Sequence, residues 1–373
     1  MKIIYVVNEG RFFLSHRLAL ATEAQRHGVE VVVVCGANTG EQGLADAGLR
    51  YLTVPMSRSG FNPFKELRTA RALLRIYRAE KPDLVHHVTI KPVLYGTTMA
   101  RWSGVPAVVN AVPGMGFVFT RRGLLAGIRR SFVQLLYRLC MFHPNMRVIF
   151  QNNEDMQAFT QRGIVDRQHV VLIRGSGVDL DVFGCAPEPP GPVTFVLVGR
   201  MLRHKGVYEY VDAARRARRR HPDWRFQLVG EVDPGNPASL EPEELIAWQE
   251  DGDVEWLGQR DDVPELMASA HVVCLPSYRE GLPKTLLEAA ACGRAMIASD
   301  IAGCREVVRQ EVTGLLVPPR VSEPLAEAML RLGEDDALRH RFARAARSAA
   351  EAVFSLEDVV RHTFRVYDEL LLP

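Results

Sequence analysis

Short apolar runs alternate with longer periodic stretches along the first half of the chain. Runs such as KIIYVV, VEVVVVC, DLVHHV and PAVVNAV have the length of a strand and are rich in Val and Ile. Between them lie segments such as NPFKELRTARALLRIYRAEK, whose apolar residues recur at helical spacing. Because strands buried on both faces read as continuous apolar runs, this alternation predicts a parallel sheet with helical crossovers.

The alternation stops at residues 174–192, where Gly and Pro crowd together, and then begins again. A chain of 373 residues also exceeds the usual size of a single core. We therefore predict an α/β protein with two Rossmann-like parallel-sheet domains that face each other across a cleft. The predicted parts are an N-terminal domain (1–173), a linker (174–192), a C-terminal domain (193–354), and a C-terminal helix (355–373) that packs back toward the N-terminal domain.

Composition narrows the class of protein. The chain is 47% hydrophobic and 24% charged with a net charge of +2, which gives no general reason to expect nucleic acid. Six cysteines without a CxxC pair fit a reduced, cytoplasmic chain. The first residues read as a strand rather than a signal peptide, and prolines interrupt the longest uncharged run, 102–120. We expect a protein that does not cross a membrane.

One segment departs from this balanced charge. No acidic residue lies between Asp83 and Glu154, and the stretch RRGLLAGIRRSFVQLLYRLCMF mixes arginines with apolar residues at near-helical spacing. Such a helix suits an anionic membrane surface or a negatively charged acceptor, although a core-facing helix with a solvated basic side gives the same pattern. The candidate patch consists of Arg121, Arg122, Arg129 and Arg130.

The stretch GRMLRHKG, residues 199–206, follows the predicted strand VTFVLV. Gly199 lets the backbone turn close beneath a ligand. Arg200 offers a planar fork and Lys205 a mobile point charge, both suited to phosphate oxygens. The pattern indicates a diphosphate site, and the alternative is an ordinary loop with surface cations.

A second stretch, YREGLPKTLLEAAACG, places Glu280 in a Gly-Pro loop and Glu288 inside the helix that follows. The backbone amides at the helix start, together with the helix dipole, form a cradle for an anion. Glu280 and Glu288 would then accept hydrogen bonds from hydroxyls on either side of a diphosphate, as in a nucleotide-sugar. The cradle residues are Gly281, Leu282, Pro283, Lys284 and Thr285.

The two stretches resemble motifs of a known family. GRMLRHKG is similar to the G-R-x-x-x-x-K-G loop of retaining GT-B glycosyltransferases of family four (group 1), and EGLPKTLLE is similar to their E-x7-E motif. The resemblance implies that Arg200 and Lys205 stabilise the departing diphosphate. It also implies that Glu280 holds the transferred sugar and Glu288 the ribose, in a retaining transfer that needs no metal.

The first domain resembles the subgroup that adds an N-acetylhexosamine to a polyprenyl-diphosphate-linked saccharide in bacterial glycan assembly. The resemblance implies a UDP-linked donor, with Gly10 in the loop that closes on it, and peripheral contact with the inner face of the cell membrane. The family's histidine near the reacting carbon is absent, so His16, His87 (or its neighbour His86) and Asn110 are the candidates for acceptor contact. The rival functions are a nucleotide-sugar 2-epimerase and a non-catalytic nucleotide-sugar binder or scaffold.

Two further motifs are assigned structural roles. The pair Asp179 and Asp181 has the spacing of a metal-binding DxD, but it lies in the linker, where we expect Asp181 to cap a turn. The run 215–220, RRARRR, lies at a predicted helix end, where cations favour the helix dipole.

Overall fold

The computed structural model describes residues 1–56, 62–112 and 136–371. The chain divides into two units, one made of residues 1–176 with 359–373 and the other of residues 177–358. Each unit has its own sheet, and every strand pair in the described part of the chain is parallel. The predicted doubly wound architecture is therefore confirmed.

The first unit is built on a seven-stranded sheet with the order β3-β2-β1-β4-β5-β6-β7. The strands are β1 Lys2–Val6, β2 Glu30–Gly36, β3 Arg50–Val54, β4 Leu84–Val88, β5 Ala107–Val112, β6 Met146–Phe150 and β7 Val170–Leu172. The α-helices are Gly10–Arg26, Glu41–Asp46, Pro63–Glu80, Thr97–Ser103 and Asn153–Gln161, with a π-helical turn Pro92–Gly96 and a 3₁₀ turn Arg167–His169. The helix Leu356–Leu371 joins this unit from Val359 onward.

The second unit has a six-stranded sheet with the order β10-β9-β8-β11-β12-β13. Its strands are β8 Thr194–Val198, β9 Arg225–Val229, β10 Glu255–Trp256, β11 Val272–Leu275, β12 Ala295–Ser299 and β13 Gly314–Val317. Its α-helices are Val207–Arg218, Pro242–Glu250, Val263–Ala268, Lys284–Ala291, Ala302–Arg305, Ser322–Glu334 and Asp336–Val353, and Arg203–Lys205 forms a 3₁₀ turn.

Alternate residues of the central strands enter different cores. In β1, Ile3 and Tyr5 join one buried cluster while Ile4 and Val6 join another. In β8, Phe195 and Leu197 join one buried cluster while Val196 joins another. Helices cover both faces of each sheet, and this burial explains why the strands read as unbroken apolar runs.

Each sheet has a point where the strand order reverses. In the first sheet this point lies between β1 and β4, and in the second it lies between β8 and β11. Ligands of doubly wound sheets bind beyond the carboxyl ends of the strands at such a point. The loops after β8 and β11 carry both predicted diphosphate motifs.

Candidate active site

The loops that follow β8 and β11 approach each other at backbone distance. The amide of Tyr278 donates a hydrogen bond to the carbonyl of His204 at 2.9 Å. Gly206 has φ +78°, and a Cβ at this position would lie 2.2 Å from the carbonyl oxygen of Pro276. Only glycine fits both the left-handed backbone and the close approach.

This approach brings together two of the predicted site residues. Lys205 ends the 3₁₀ turn, and its Nζ lies 2.6 Å from Oε1 of Glu280, a residue 75 positions later in the chain. The side chains are only 19% and 14% exposed. A cation and a carboxylate predicted to act on neighbouring parts of one ligand are therefore direct neighbours.

The helix Lys284–Ala291 starts beside this ion pair. Pro283 is the N-cap rather than the first helical residue, and no side chain caps the helix. The amides of Leu286 and Leu287 make the first turn's hydrogen bonds to Pro283, so the amides of Lys284 and Thr285 precede the helical hydrogen-bond ladder. The hydroxyl of Thr285 donates to the Val198 carbonyl at 3.3 Å and ties the helix start to the end of β8.

Glu288 lies one turn into this helix and is buried. Burial raises the pKa of its carboxyl group, and Lys284 opposes that rise from 3.2 Å away. Each of the two motif glutamates is thus paired with a lysine, Glu280 with Lys205 and Glu288 with Lys284. The pairs lie before and within the helix whose N-terminus carries positive partial charge.

Arg200 also lies at the carboxyl edge of the sheet, but it pairs with a residue that the sequence analysis did not single out. Its Nη1 lies 2.6 Å from Oδ2 of Asp233, in the loop after β9. Gly199, which precedes it, is nearly extended at φ +157°, and the nearest heavy atom to an added Cβ would be Cε of Lys205 at 4.0 Å. Glycines packed closely against the protein are Gly206 and Gly230, where an added Cβ would lie 2.0 Å from the Gly199 carbonyl oxygen. The close approach of a ligand to Gly199 stays a prediction.

Two family models match the chain. A model described as "Glycosyl transferases group 1" matches residues 192–335, and one described as "Glycosyl transferase 4-like" matches residues 2–152. The first match contains all four motif residues of the site, and the two matches together span most of both units. The chain therefore consists of two glycosyltransferase domains, one matching group 1 and one 4-like.

This glycosyltransferase is similar in sequence to two named bacterial enzymes. It is 27% identical to the N,N'-diacetylbacillosaminyl-diphospho-undecaprenol alpha-1,3-N-acetylgalactosaminyltransferase of Campylobacter jejuni, over 100% of this chain and 99% of the relative. It is 28% identical to the UDP-Gal:alpha-D-GlcNAc-diphosphoundecaprenol alpha-1,3-galactosyltransferase of Escherichia coli, over 79% of this chain and 77% of the relative.

Solved structures show the same fold. A glycosyltransferase from Rickettsia africae superposes with a TM-score of 0.79 at 21% identity, over 100% of this chain and 98% of that one. The Anabaena protein HepE in complex with UDP also gives a TM-score of 0.79, at 18% identity, over 99% and 100% of the two chains. The predicted GT-B fold is confirmed.

The first unit of the glycosyltransferase places Gly10 and His16 on the helix that follows β1. Gly10 starts this helix, and its amide donates to the hydroxyl of Thr39 at 2.9 Å. His16 is half-buried, with Nδ1 2.6 Å from the hydroxyl of Ser15, and its ring stacks on Phe12. Their predicted contacts with donor and acceptor stay predictions.

His87 and Asn110 lie fully buried in the core of the first unit. Nδ1 of His87 lies 2.8 Å from Oδ1 of Asn110, and its Nε2 lies 2.9 Å from the hydroxyl of Tyr77. Thr97 donates to the same Asn110 oxygen at 2.9 Å. Burial lowers the pKa of His87 to about 4. Direct contact with an acceptor would require these side chains to leave the core, so the geometry favours a structural role for both.

His86 is buried as well and belongs to a different network. Its Nδ1 lies 2.6 Å from the hydroxyl of Tyr367 in the helix Leu356–Leu371. Burial lowers its pKa well below the ordinary value. Both histidines of the HH pair are therefore buried, as expected for histidines within an apolar strand.

The linker aspartates form a turn, but the prediction of which aspartate caps it was wrong. Oδ1 of Asp179 accepts hydrogen bonds from the amides of Asp181 and Val182 at 3.0 and 3.1 Å. The first aspartate caps because an Asx turn binds the amide two residues later. The described residues contain no group of three or more His, Cys, Asp or Glu side chains that could hold a metal ion.

The remaining surface predictions have mixed outcomes. The helix Val207–Arg218 ends in arginines that pair with acidic residues, among them Arg215 with Asp253 at 2.6 Å, as a solvated helix end requires. The patch Arg121, Arg122, Arg129 and Arg130 lies outside the described residues. Among the described helices, none is long and apolar enough to cross a membrane.

Four residues near this edge of the sheet were not predicted from the sequence, namely Asp233, Gly230 and two serines. Ser277 and Ser299 follow β11 and end β12, both are fully buried, and neither hydroxyl has a hydrogen-bond partner within the described residues. Their place at the carboxyl ends of adjacent strands was the available signal, because polar residues at that edge face the ligand side of a doubly wound sheet.

Proposed function

We propose that this glycosyltransferase moves an N-acetylhexosamine from a UDP-linked donor to a saccharide on polyprenyl diphosphate, with retention of anomeric configuration, at the inner face of the cell membrane. The observation that carries the donor half is the Lys205–Glu280 pair beside the N-terminus of the helix Lys284–Ala291. The acceptor half draws on the Campylobacter relative, which matches the whole chain and is named for an undecaprenyl-diphosphate-linked acceptor.

The proposed chemistry stabilises charge on the leaving group. The bond between the anomeric carbon and the UDP oxygen breaks, and negative charge grows on the terminal phosphate. Lys205, Arg200 and the amides at the helix start oppose that charge, which is the principal way such sites accelerate transfer. In this proposal these groups take the place of a metal.

Glu280 links sugar recognition to phosphate recognition. It accepts a hydrogen bond from a hexose hydroxyl while holding Lys205 at 2.6 Å, within reach of the phosphate. Glu288 accepts hydrogen bonds from the ribose hydroxyls and is held by Lys284. Burial raises the pKa of Glu288, and the nearby Lys284 opposes that rise.

The acceptor hydroxyl completes the reaction. Its oxygen forms the new bond on the face of the sugar that the leaving UDP vacates, and its proton passes to the departing phosphate oxygen. The family resemblance supports this same-face course. No carboxylate pair flanking the anomeric carbon is invoked, in contrast to the two-carboxylate arrangement of hydrolases.

The test is a donor screen with purified protein. UDP-linked N-acetylglucosamine, N-acetylgalactosamine, galactose and glucose are incubated with polyprenyl-diphosphate saccharides, with and without EDTA. The proposal expects UDP release only with acceptor, a product heavier by one N-acetylhexosamine, an α-anomeric proton coupling in the product, and unchanged rates with EDTA. Acceptor-independent release of free sugar or epimer would identify the 2-epimerase, and no release with any pair would indicate a non-catalytic binder.

A further inference from the structure

The loop after β9, residues 230–240 and here called the β9 loop, is bound to the loop that carries Arg200. The amide of Met201 donates to the carbonyl of Glu231 at 2.9 Å. The amide of Leu240, at the other end of the β9 loop, donates to the Met201 carbonyl at 2.9 Å. The two loops therefore share backbone hydrogen bonds directly beside Arg200.

The residues on either side of Arg200 are packed tightly. Met201 and Leu240 are buried in the same core cluster. An added Cβ at Gly230 would lie 2.0 Å from the carbonyl oxygen of Gly199, so the two backbones touch where both loops begin. Arg200 lies between Gly199 and Met201, and its backbone therefore cannot shift independently of the β9 loop.

Asp233 is held within the β9 loop by a closed turn. Its amide donates to the hydroxyl of Ser239 at 2.9 Å, and its carbonyl accepts from the amide of Asn236 at 2.8 Å. Nδ2 of Asn236 also lies 3.4 Å from Oδ2 of Asp233. The carboxylate is thus presented to Arg200 from a turn with its own hydrogen bonds.

The ion pair leaves most of the Arg200 guanidinium free to bind a ligand. Nη1 of Arg200 lies 2.6 Å from Oδ2 of Asp233, and Asp233 is the only residue in the described ranges that pairs with this guanidinium. An arginine carries five N–H donors in a planar fork. Since a surface ion pair adds little to stability, the main effect of this pair is to fix the direction of the remaining donors.

We propose that Asp233 is a positioning residue that orients the Arg200 guanidinium toward the diphosphate of the donor. The inference rests on the proposed function, in which Arg200 contacts that diphosphate. An arginine already held in one rotamer binds phosphate without the ordering cost that a mobile side chain has. The carboxylate of Asp233 also repels the diphosphate, but solvent weakens this repulsion because Arg200 is 45% exposed. The orienting effect should therefore exceed the repulsion.

The experiment measures the affinity of the full chain for UDP by calorimetry, which requires no catalysis. The proteins are the wild type, Asp233→Ala, Arg200→Ala and the double variant. We expect Asp233→Ala to weaken UDP binding by about three- to tenfold, because Arg200 loses its fixed rotamer. In the Arg200→Ala background the same substitution removes only the repulsion, so the affinity should stay equal or rise. A merely structural role of Asp233 would instead lower the affinity in both backgrounds.

A second ion pair of this unit provides a matched control. Arg215 and Asp253 lie 2.6 Å apart near the C-terminal end of the helix Val207–Arg218, and their side chains are 41% and 16% exposed. The corresponding values for Arg200 and Asp233 are 45% and 18%. Asp253→Ala should therefore bind UDP as the wild type does.

An isosteric variant separates charge from shape. Asp233→Asn keeps the shape of the side chain and removes its charge, so its UDP affinity should lie between those of the wild type and Asp233→Ala. Thermal unfolding checks the fold of every variant, and Asp233→Asn decides the question if Asp233→Ala does not fold.

Several results would overturn the inference. They are wild-type affinity in both Asp233 variants, equal losses in the two backgrounds, or tighter UDP binding by Asp233→Ala, which would make the carboxylate a competitor of the phosphate. Absence of UDP binding by the wild type would overturn both this inference and the proposed function. The expected affinities without sugar transfer to any acceptor would overturn the proposed function alone, whereas transfer with additive effects of the two substitutions would overturn this inference alone.

Discussion

Replacement of Lys205 by alanine probes the charge that the proposed mechanism requires. Nζ of Lys205 lies 2.6 Å from Oε1 of Glu280, and both side chains are largely buried. A hydrogen bond to a charged group contributes about 1.5–3 kcal/mol. If Lys205 makes one such bond to the leaving phosphate, its loss lowers kcat/KM by about 10- to 150-fold.

The pairing makes the effect of the substitution on Glu280 part of the prediction. Lys205→Ala leaves a partly buried carboxylate without its cation, next to the negative charge of the donor. A second substitution, Glu280→Gln, relieves that repulsion. In a double-mutant cycle, the activity loss of the double variant should therefore be smaller than the product of the single losses, with a coupling of about 1 kcal/mol or more.

The assay measures kcat/KM for the donor at saturating acceptor, using variants whose thermal unfolding matches the wild type. Lys205→Arg is the matched control, since it keeps the charge and changes the geometry, and it should fall between wild type and alanine. Arg200→Ala is measured in parallel, because Arg200 pairs with Asp233 rather than with Glu280. Near-normal activity in both Lys205→Ala and Arg200→Ala, or strictly additive losses in the Lys205/Glu280 cycle, would refute the reasoning.

Three further predictions concern pH and packing. Burial raises the pKa of Glu288, so the KM for the donor should rise on acidification at a higher pH than protonation of an ordinary glutamate would cause. The substitution Lys284→Met should move that rise in KM to still higher pH. A ratio of the KM values of Glu288→Gln and wild type that does not change with pH would contradict this prediction. Burial lowers the pKa of His87 from 6.5 to about 4, so between these pH values the unfolded chain binds a proton that the folded chain does not. The free energy of unfolding should therefore fall by up to about 3 kcal/mol as the pH is lowered from about 6.5 to about 4. Urea unfolding of His87→Gln should show a weaker pH dependence than wild type, and an unchanged dependence would argue against the buried role. Gly230→Ala, whose Cβ would lie 2.0 Å from a carbonyl oxygen, should lower the free energy of unfolding by about 2 kcal/mol or more, whereas Gly235→Ala, with open space around the added Cβ, should match the wild type.

The strand pattern predicted the two sheets because burial on both faces leaves a clear mark in the sequence. Short strands at the edge of a sheet leave a weaker pattern in the sequence. β7, Val170–Leu172, has three half-buried residues, and β13, Gly314–Val317, begins with glycine. Neither strand was predicted, since each adds only one row of hydrogen bonds at a sheet edge.

The closeness of the two motif loops was predictable because strand order places both loops at one edge of the sheet. Their internal pairing was not, since the contact between Lys205 and Glu280 depends on a side-chain geometry that no spacing encodes. The partner of Arg200 escaped for the same reason, because Asp233 comes from a third loop.

The histidine candidates show a different limit. The residue type suggested chemistry, but the positions of His86 and His87 within an apolar strand indicated burial. Both side chains are buried in the structure, as their positions in the strand indicated. Two adjacent residues of a strand point to opposite faces, so each histidine found its own buried hydroxyl partner, Tyr367 and Tyr77 respectively.

The helix Leu356–Leu371 has a consequence for how the molecule is assembled during synthesis. Residues 1–176 emerge from the ribosome first, yet their apolar core includes Val359, Val366 and Tyr367, which are translated only after the whole second unit. The apolar surface of the first unit that the last helix covers therefore stays exposed to solvent while about half of the chain is still being translated. A fragment that stops at Ser176 should aggregate, and co-expression of a peptide spanning the last helix should rescue its solubility.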